Sequence, residues 1–212
     1  MKRIGVLVSG GGTNLQAIID AVLSGTLPAE IGVVISNKAG VFALERAAKQ
    51  QIPTAVIDHR QYSGNRQFSE ALLAALRGHG VDLVCLAGFM RIVDPVLLDA
   101  YPHRILNIHP ALLPSFGGKG MYGHHVHEAV IRSGAKFSGA TVHLVTPDPD
   151  AGPIVAQGVV AVDDEDTAES LALKVLRVEH RIYPEAIRLL LGENFQRDGL
   201  RVKPSLRVSL LE

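Results

Sequence analysis

The sequence predicts an α/β fold: a mostly parallel, twisted sheet with helices on both faces, wound in a Rossmann-like manner. Three observations carry that expectation. Short apolar runs alternate with segments of helical period through the first half of the chain, the links between them are short, and the first strand enters its helix through a glycine-rich turn. Strands joined through helices pair in parallel by right-handed crossovers, and ligands bind such sheets at the carboxyl ends of the strands.

Residues 4–8 are a continuous apolar run, as a strand covered on both faces requires. Ser9-Gly10-Gly11-Gly12-Thr13-Asn14 follows, then Leu15, Ala17, Ile18, Ile19, Val22 and Leu23 at helical spacing. The turn lacks the Gly-Lys-Ser/Thr ending of a Walker loop, and Leu15 stands where the dinucleotide fingerprint has its third glycine. Two readings stay open. Glycines bring the backbone close to a ligand and the helix start favours an anion; alternatively, this is a tight turn with Thr13 or Asn14 as N-cap. Residues 31–35 then read as a strand, 42–50 as a helix, 54–57 as a strand, 65–78 as a helix with Phe68, Leu72, Leu73 and Leu76 on one face, and 81–86 as the fourth strand. Ser36-Asn37-Lys38 reads as a solvated turn or a source of charge. Gly88-Phe89-Met90-Arg91-Ile92-Val93 is too apolar for an ordinary surface link, so it either packs down or lines an apolar ligand site.

The second half opens on Arg104-Ile105-Leu106-Asn107-Ile108-His109-Pro110-Ala111-Leu112-Leu113-Pro114. Pro110 keeps His109 extended, and residues two apart on an extended segment share a side, so Asn107 and His109 stand together at a strand end. Residues 115–123, rich in glycine, read as a mobile lid. His124, His125 and His127 start a helix reaching Ile131; they invite a metal, but no cysteine or acid has ligand spacing around them, which leaves ligand contact or an exposed polar helix start. Strands at 140–145 and 154–160 flank the turn Thr146-Pro147-Asp148-Pro149-Asp150-Ala151-Gly152-Pro153. Its carboxylates either cap the turn or, placed near His109, raise the imidazole pKa and hold it protonated at neutral pH. A long helix over 167–191 has Asp166 and Glu169 as a capping pair, a stripe of Leu171, Val175, Val178, Ile182 and Ala186, and a bend expected at Pro184. Glu179 borders its buried face and so needs a partner. An edge strand or tail follows Gly192.

Composition narrows the function classes. With 21 basic and 21 acidic residues, scattered, the chain lacks the footprint of a nucleic-acid or anionic-membrane surface. No apolar run reaches the length of a membrane span. The single cysteine, Cys85, sits in an apolar run and reads as a reduced core residue. The apolar start is broken at Ser9 and lacks a signal cleavage site, so a cytoplasmic location is expected. Without repeat or linker, residues 1–212 read as one domain, with a first half at 1–100, a second at 101–192 and a tail at 193–212.

Four stretches, Ser9-Gly10-Gly11-Gly12-Thr13-Asn14-Leu15, Leu86-Ala87-Gly88-Phe89-Met90-Arg91, Asn107-Ile108-His109-Pro110-Ala111-Leu112-Leu113-Pro114 and Asp150-Ala151-Gly152-Pro153, closely resemble the phosphoribosylglycinamide formyltransferases of purine synthesis. The resemblance implies the formyltransferase fold, a Rossmann-like phosphoribosyl-binding half at 1–100 and a catalytic and folate-binding half at 101–192, 10-formyltetrahydrofolate as co-substrate without a metal, and the amine of 5-phosphoribosylglycinamide as acceptor. No nucleic acid or membrane partner is expected, and the chain is expected to be a monomer or homodimer. Carried over by position, Asn107, His109 and Asp150 are catalytic. Gly12, Thr13 and Asn14, with Leu176, Arg177, Val178 and Glu179, bind the ribonucleotide. Arg66, Met90, Arg91, Ile92 and Val93, with Asn107, Thr146, Pro147, Asp148, Pro149 and Asp150, contact the folate. The first loop and the chain length favour this branch over the methionyl-tRNA enzyme and the formyltetrahydrofolate hydrolase, each of which has an extra domain. The stretch 116–123 is longer than in shorter-looped relatives; His125 and His127 match the family's His-x-His and His124 is extra.

Formyl transfer also fits the residues directly. Amine attack on a formyl carbon builds an oxyanion, and one positioned donor is worth about 3–4 kcal/mol there; the Asn107 N–H and a protonated His109, kept charged by Asp150, are expected to donate to it. Cys85 is expected to be buried and Ser115 lacks a base, so covalent catalysis is disfavoured. Other folate-dependent formyl transfer, hydrolysis of the same folate, a binding module without turnover and a structural subunit are the rivals.

Overall fold

The computed structural model describes residues 1–192 and 195–210, and the chain divides into two compact units, 1–107 and 108–212. The first unit contains β1 (Lys2–Val8), α1 (Thr13–Leu23), β2 (Ala29–Ser36), α2 (Phe42–Lys49), β3 (Thr54–Val56), α3 (Asn65–Gly78), β4 (Leu83–Leu86), α4 (Pro95–Ala100) and β5 (Ile105–His109), whose last two residues begin the second unit. Its strands lie in the order β3-β2-β1-β4-β5, every pairing parallel. All of β4 and the last five residues of β1 are buried without alternation, the pattern of strands covered on both faces. Phe68, Leu72, Leu73 and Leu76 form the buried face of α3, and Cys85 is buried in β4.

Two local features went unread in the sequence. Asp94-Pro95 starts α4: the Asp94 carboxylate accepts from the Val96 N–H at 3.0 Å and Pro95 occupies the first turn, a strong start signal on a helix only six residues long. A short 3-10 turn over His59–Gln61, capped by Asp58, follows β3. The start of α1 corrects an expectation: its N-cap is Gly12, in the left-handed region at φ 72°, rather than Thr13 or Asn14. The chain must turn there in a conformation that a side chain resists, so the cap position has gone to glycine.

The second unit contains α5 (His124–Ser133), β6 (Phe137–Leu144), β7 (Ile154–Ala161), α6 (Ala168–Leu191), β8 (Gln196–Asp198) and β9 (Arg201–Leu210). Here β6 pairs antiparallel with β7, β7 parallel with β9, and β9 antiparallel with β8. What was expected as an edge strand or tail is thus a hairpin with β9 inside it. Lys203 and Pro204 hide the strand period in the sequence. All five stripe residues of α6 are buried, and a Cβ at Gly158 would overlap the Val178 side chain, so the helix lies directly on β7. The capping pair is corrected: Thr167 is the N-cap, its hydroxyl accepting from the Ser170 N–H at 3.2 Å while the Ser170 hydroxyl accepts from the Thr167 N–H at 3.0 Å. Asp166 instead accepts from the Ser170 hydroxyl at 2.7 Å and pairs with Lys174. The helix runs through Pro184 to Leu191. Among the described residues, no helix is long and apolar enough to cross a membrane.

Candidate active site

In the first unit, the glycine loop is built against α2. Ala43 N–H donates to the Gly10 carbonyl at 3.2 Å, Arg46 Nε to the Gly11 carbonyl at 2.8 Å, and Gln16 N–H to the Gly12 carbonyl at 2.9 Å. A Cβ at Gly12 would stand 2.6 Å from the Ala43 Cβ. A trans peptide points its N–H opposite to its carbonyl, so these three bonds turn the N–H groups of Gly11, Gly12 and Thr13 away from their carbonyl partners, as an anion cradle requires. Thr13 is exposed and Asn14 buried.

The apolar link after β4 does both things the sequence allowed. Phe89 and Val93 are 8% and 6% exposed and pack down, while Met90 and Ile92 are 50% and 66% exposed, with Arg91 exposed between them. Arg66, in the first turn of α3, is exposed and pairs with Glu70 at 3.2 Å, so any attraction it offers an anion is shared with that carboxylate.

Asn107 and His109 lie two apart on β5, Asn107 half-buried and His109 buried. In the second unit His109 meets Phe116 and Asp150. Its Nε2 lies 2.8 Å from the Phe116 carbonyl, which can only accept, so Nε2 carries a proton; its Nδ1 lies 3.6 Å from Asp150 Oδ2. Asp150 also accepts from the Gly118 N–H at 2.9 Å and faces His143 Nε2 at 3.5 Å. His143 Nδ1 meets the Leu144 carbonyl at 3.0 Å. Asp150 thus sits between two imidazoles. Phe116 and Asp150 both have φ in the left-handed region, 53° and 56°, a strain of about 1–3 kcal/mol each that surrounding packing must sustain.

The turn beyond His109 is held from two strands. Thr141 of β6 donates to the Ala111 carbonyl at 2.7 Å and accepts from the Leu113 N–H at 3.0 Å, while Gln157 of β7 donates to the Leu113 carbonyl at 3.0 Å. Sequence reasoning passed over His143, Thr141 and Gln157. Their signal was polarity inside strand segments whose other residues are apolar.

The electrostatics correct one expectation. Burial pushes the His109 pKa down, and this outweighs the upward pull of the Asp150 charge and the Phe116 carbonyl, with His143 opposing them. His109 therefore rests neutral at pH 7. For Asp150, burial pushes upward, but the His143 hydrogen bond, the Gly118 N–H and the two imidazoles hold its carboxyl below the ordinary range. The site at rest is a neutral imidazole beside an ionised carboxylate.

Around it, Thr146 Oγ1 donates to the Asp148 carbonyl at 3.0 Å, fixing the turn, and Pro147, Asp148 and Pro149 are exposed. On α6, Val178 and Glu179 are buried, Leu176 half-buried and Arg177 exposed. At the start of α5, His124 faces Glu128 at 3.3 Å and Glu169 at 3.5 Å, and His125 faces Glu128 at 3.4 Å. His127 is buried, its pKa lowered by burial and by His124 and His109. Among the described residues no group of His, Cys, Asp and Glu is arranged to hold a metal.

An α/β chain with Asn107 and His109 on one strand end and a carboxylate at the imidazole has known counterparts, and it belongs to the formyl transferase family, whose pattern matches residues 2–187. It is similar to glycinamide ribonucleotide transformylase 1 from Symbiobacterium toebii, at 46% identity and a TM-score of 0.91, covering 95% of this chain and 93% of that one. It is also 41% identical over 206 residues to the phosphoribosylglycinamide formyltransferase of Haemophilus influenzae, covering 97% of this chain and 92% of that protein. The trifunctional purine biosynthetic protein adenosine-3 of Gallus gallus is 44% identical over 188 residues, covering 89% of this chain; the chain spans only 18% of that longer relative.

Proposed function

We propose that this chain transfers the formyl group of 10-formyltetrahydrofolate to the amine of 5-phosphoribosylglycinamide, a step of de novo purine synthesis, and that its two units act as one transferase domain. The observation that carries the reading is His109 held 3.6 Å from Asp150, with Asn107 two residues before it on the same strand. The names of relatives that match this chain over nearly their whole length support the choice of substrates.

The amine attacks the formyl carbon, forming the new C–N bond and an oxyanion. Asn107 donates to that oxygen. A neutral His109 takes the proton released by the amine, Asp150 stabilises the imidazolium so formed, and the proton passes to the folate nitrogen as its bond to the formyl carbon breaks. No proton is gained or lost overall, and no covalent enzyme intermediate is needed. Gly12, Thr13 and Asn14 hold the phosphate, and Leu176, Arg177, Val178 and Glu179 supply the remaining ribonucleotide contacts. Met90, Arg91, Ile92 and Val93 pack on the pterin, Arg66 attracts the anionic tail of the folate, and Thr146, Pro147, Asp148, Pro149 and Asp150 complete its contacts. Its partners are small molecules rather than nucleic acid or membrane, in keeping with a formal net charge of zero, and it works in the cytoplasm as a monomer or homodimer.

The test follows tetrahydrofolate release from 10-formyltetrahydrofolate with and without the ribonucleotide. Release that requires 5-phosphoribosylglycinamide and yields the formylated amine is expected. Equal release without the acceptor would make the chain a hydrolase.

A further inference from the structure

The link after β4 is held at two backbone N–H groups by two buried serines from other elements. Ser9, the residue directly after β1, accepts from the Met90 N–H at 2.9 Å and donates to Asn37 Oδ1 at 2.6 Å. Asn37 directs its other amide atom, Nδ2, to His59 Nδ1 at 3.5 Å, which sets the amide so that Oδ1 faces Ser9. A hydroxyl has one proton, and that of Ser9 is committed to Asn37, so a lone pair is left for Met90. Ser69, fully buried on α3, accepts from the Asp94 N–H at 3.3 Å, one residue beyond the link. Directly before the first of these points Phe89 stacks on Phe68 of α3, ring centroids 6.4 Å apart and 15° from parallel. Met90, Arg91 and Ile92 remain exposed between fixed ends.

Neither hydroxyl is required by the packing of an apolar core. An alanine at either place would fill the same site and leave a part-buried N–H without its acceptor. The Met90 tether also sets the plane of the Phe89–Met90 peptide, since the Phe89 carbonyl must point opposite to the N–H that Ser9 holds. The exposed side chain of Met90 takes its direction from that plane.

We propose that Ser9 and Ser69 are positioning residues for the folate, fixing the backbone on which Met90, Arg91 and Ile92 present themselves to the pterin; this rests on the assignment of that link to folate made above. Ser9 touches no substrate in this account. It acts through Met90, and Ser69 acts through Asp94.

Ser9→Ala and Ser69→Ala test it, with amide hydrogen exchange and with calorimetric binding of a non-transferring folate analogue and of 5-phosphoribosylglycinamide. The Met90 amide should exchange faster in the first variant and the Asp94 amide in the second. Each variant should bind the folate analogue about three- to tenfold more weakly, as loss of one part-buried hydrogen bond implies, while ribonucleotide affinity holds. Ser9→Cys, which keeps the volume and weakens the acceptor, replaces Ser9→Ala should the latter not fold. Unchanged folate affinity, or an equal loss for both ligands, overturns the proposal for the serine concerned. Wild-type protein that binds the ribonucleotide but not the folate analogue overturns the folate assignment itself, a failure seen without any variant.

Discussion

At the scale of single residues, the site turns on a balance at His109 between burial and one carboxylate. Read from the sequence, Asp150 near an imidazole argued for a charged histidine. The structure supplies the opposing quantity, desolvation, and burial prevails. The carboxylate still pulls upward, so Asp150→Asn should lower the His109 pKa further; an NMR titration in which the imidazole signal does not move would contradict that coupling. Under the proposed chemistry, His109→Ala and Asn107→Ala should each lower kcat by about 100-fold or more, with ribonucleotide affinity nearly kept. An effect confined to KM would remove both residues from the chemical step. His143 was invisible as a partner because nothing in linear order says which face of β6 meets the turn carrying Asp150. With Asp150 3.5 Å from its Nε2, His143→Ala is expected to loosen Asp150 and cost activity as well.

At the scale of elements, most strands and helices were legible because burial imposes a period. The apolar runs of β1, β2 and β4 and the helical stripes of α3 and α6 follow directly from what each must cover. The caps were not so legible. Asp166 and Glu169 offered the expected pair of types, but Ser170 stands three residues after Thr167 and reaches its N–H. Thr167→Ala should therefore destabilise the fold by about 1 kcal/mol, measurable as a shift in the denaturation midpoint; no shift would mean that Asp166 serves as the cap. Gly12→Ala meets both a left-handed backbone and the Ala43 side chain. It should cost about 1–3 kcal/mol and weaken ribonucleotide binding, and an alanine variant of wild-type stability and affinity would show that the turn adapts. The hairpin of β8 and β9 escaped the sequence for the opposite reason: its pairing is made by backbone bonds that side-chain pattern does not record.

At the scale of the whole molecule, two buried histidines make stability depend on pH. Burial lowers the pKa of both His109 and His127. The unfolded chain binds their protons below about pH 6.5 while the folded chain does not, so the unfolded state carries more protons and stability falls as the solution is acidified through that range. The stabilisation is complete above about pH 6.5 and declines below it towards the lowered folded-state values. Thermal unfolding followed from pH 7.5 to 5.5 should show a falling midpoint, and a double His109→Asn, His127→Asn variant should flatten the slope. A wild-type midpoint that rises on acidification would refute the sign.

The sequence by itself determined the alternation of the first half, the glycine turn before α1, the strand end bearing Asn107 and His109, and the family to which the chain belongs. Each of these is local: a period, a turn or a short motif needs only neighbours along the chain. Only the tertiary structure decided that Asp150, some forty residues later, stands at His109 with His143 on its other side, that Thr141 and Gln157 hold the turn between them, and that Ser9 reaches Met90. Those contacts, and the burial that leaves His109 neutral, depend on which elements the fold brings together and how much water it excludes there. No stretch of sequence contains those quantities.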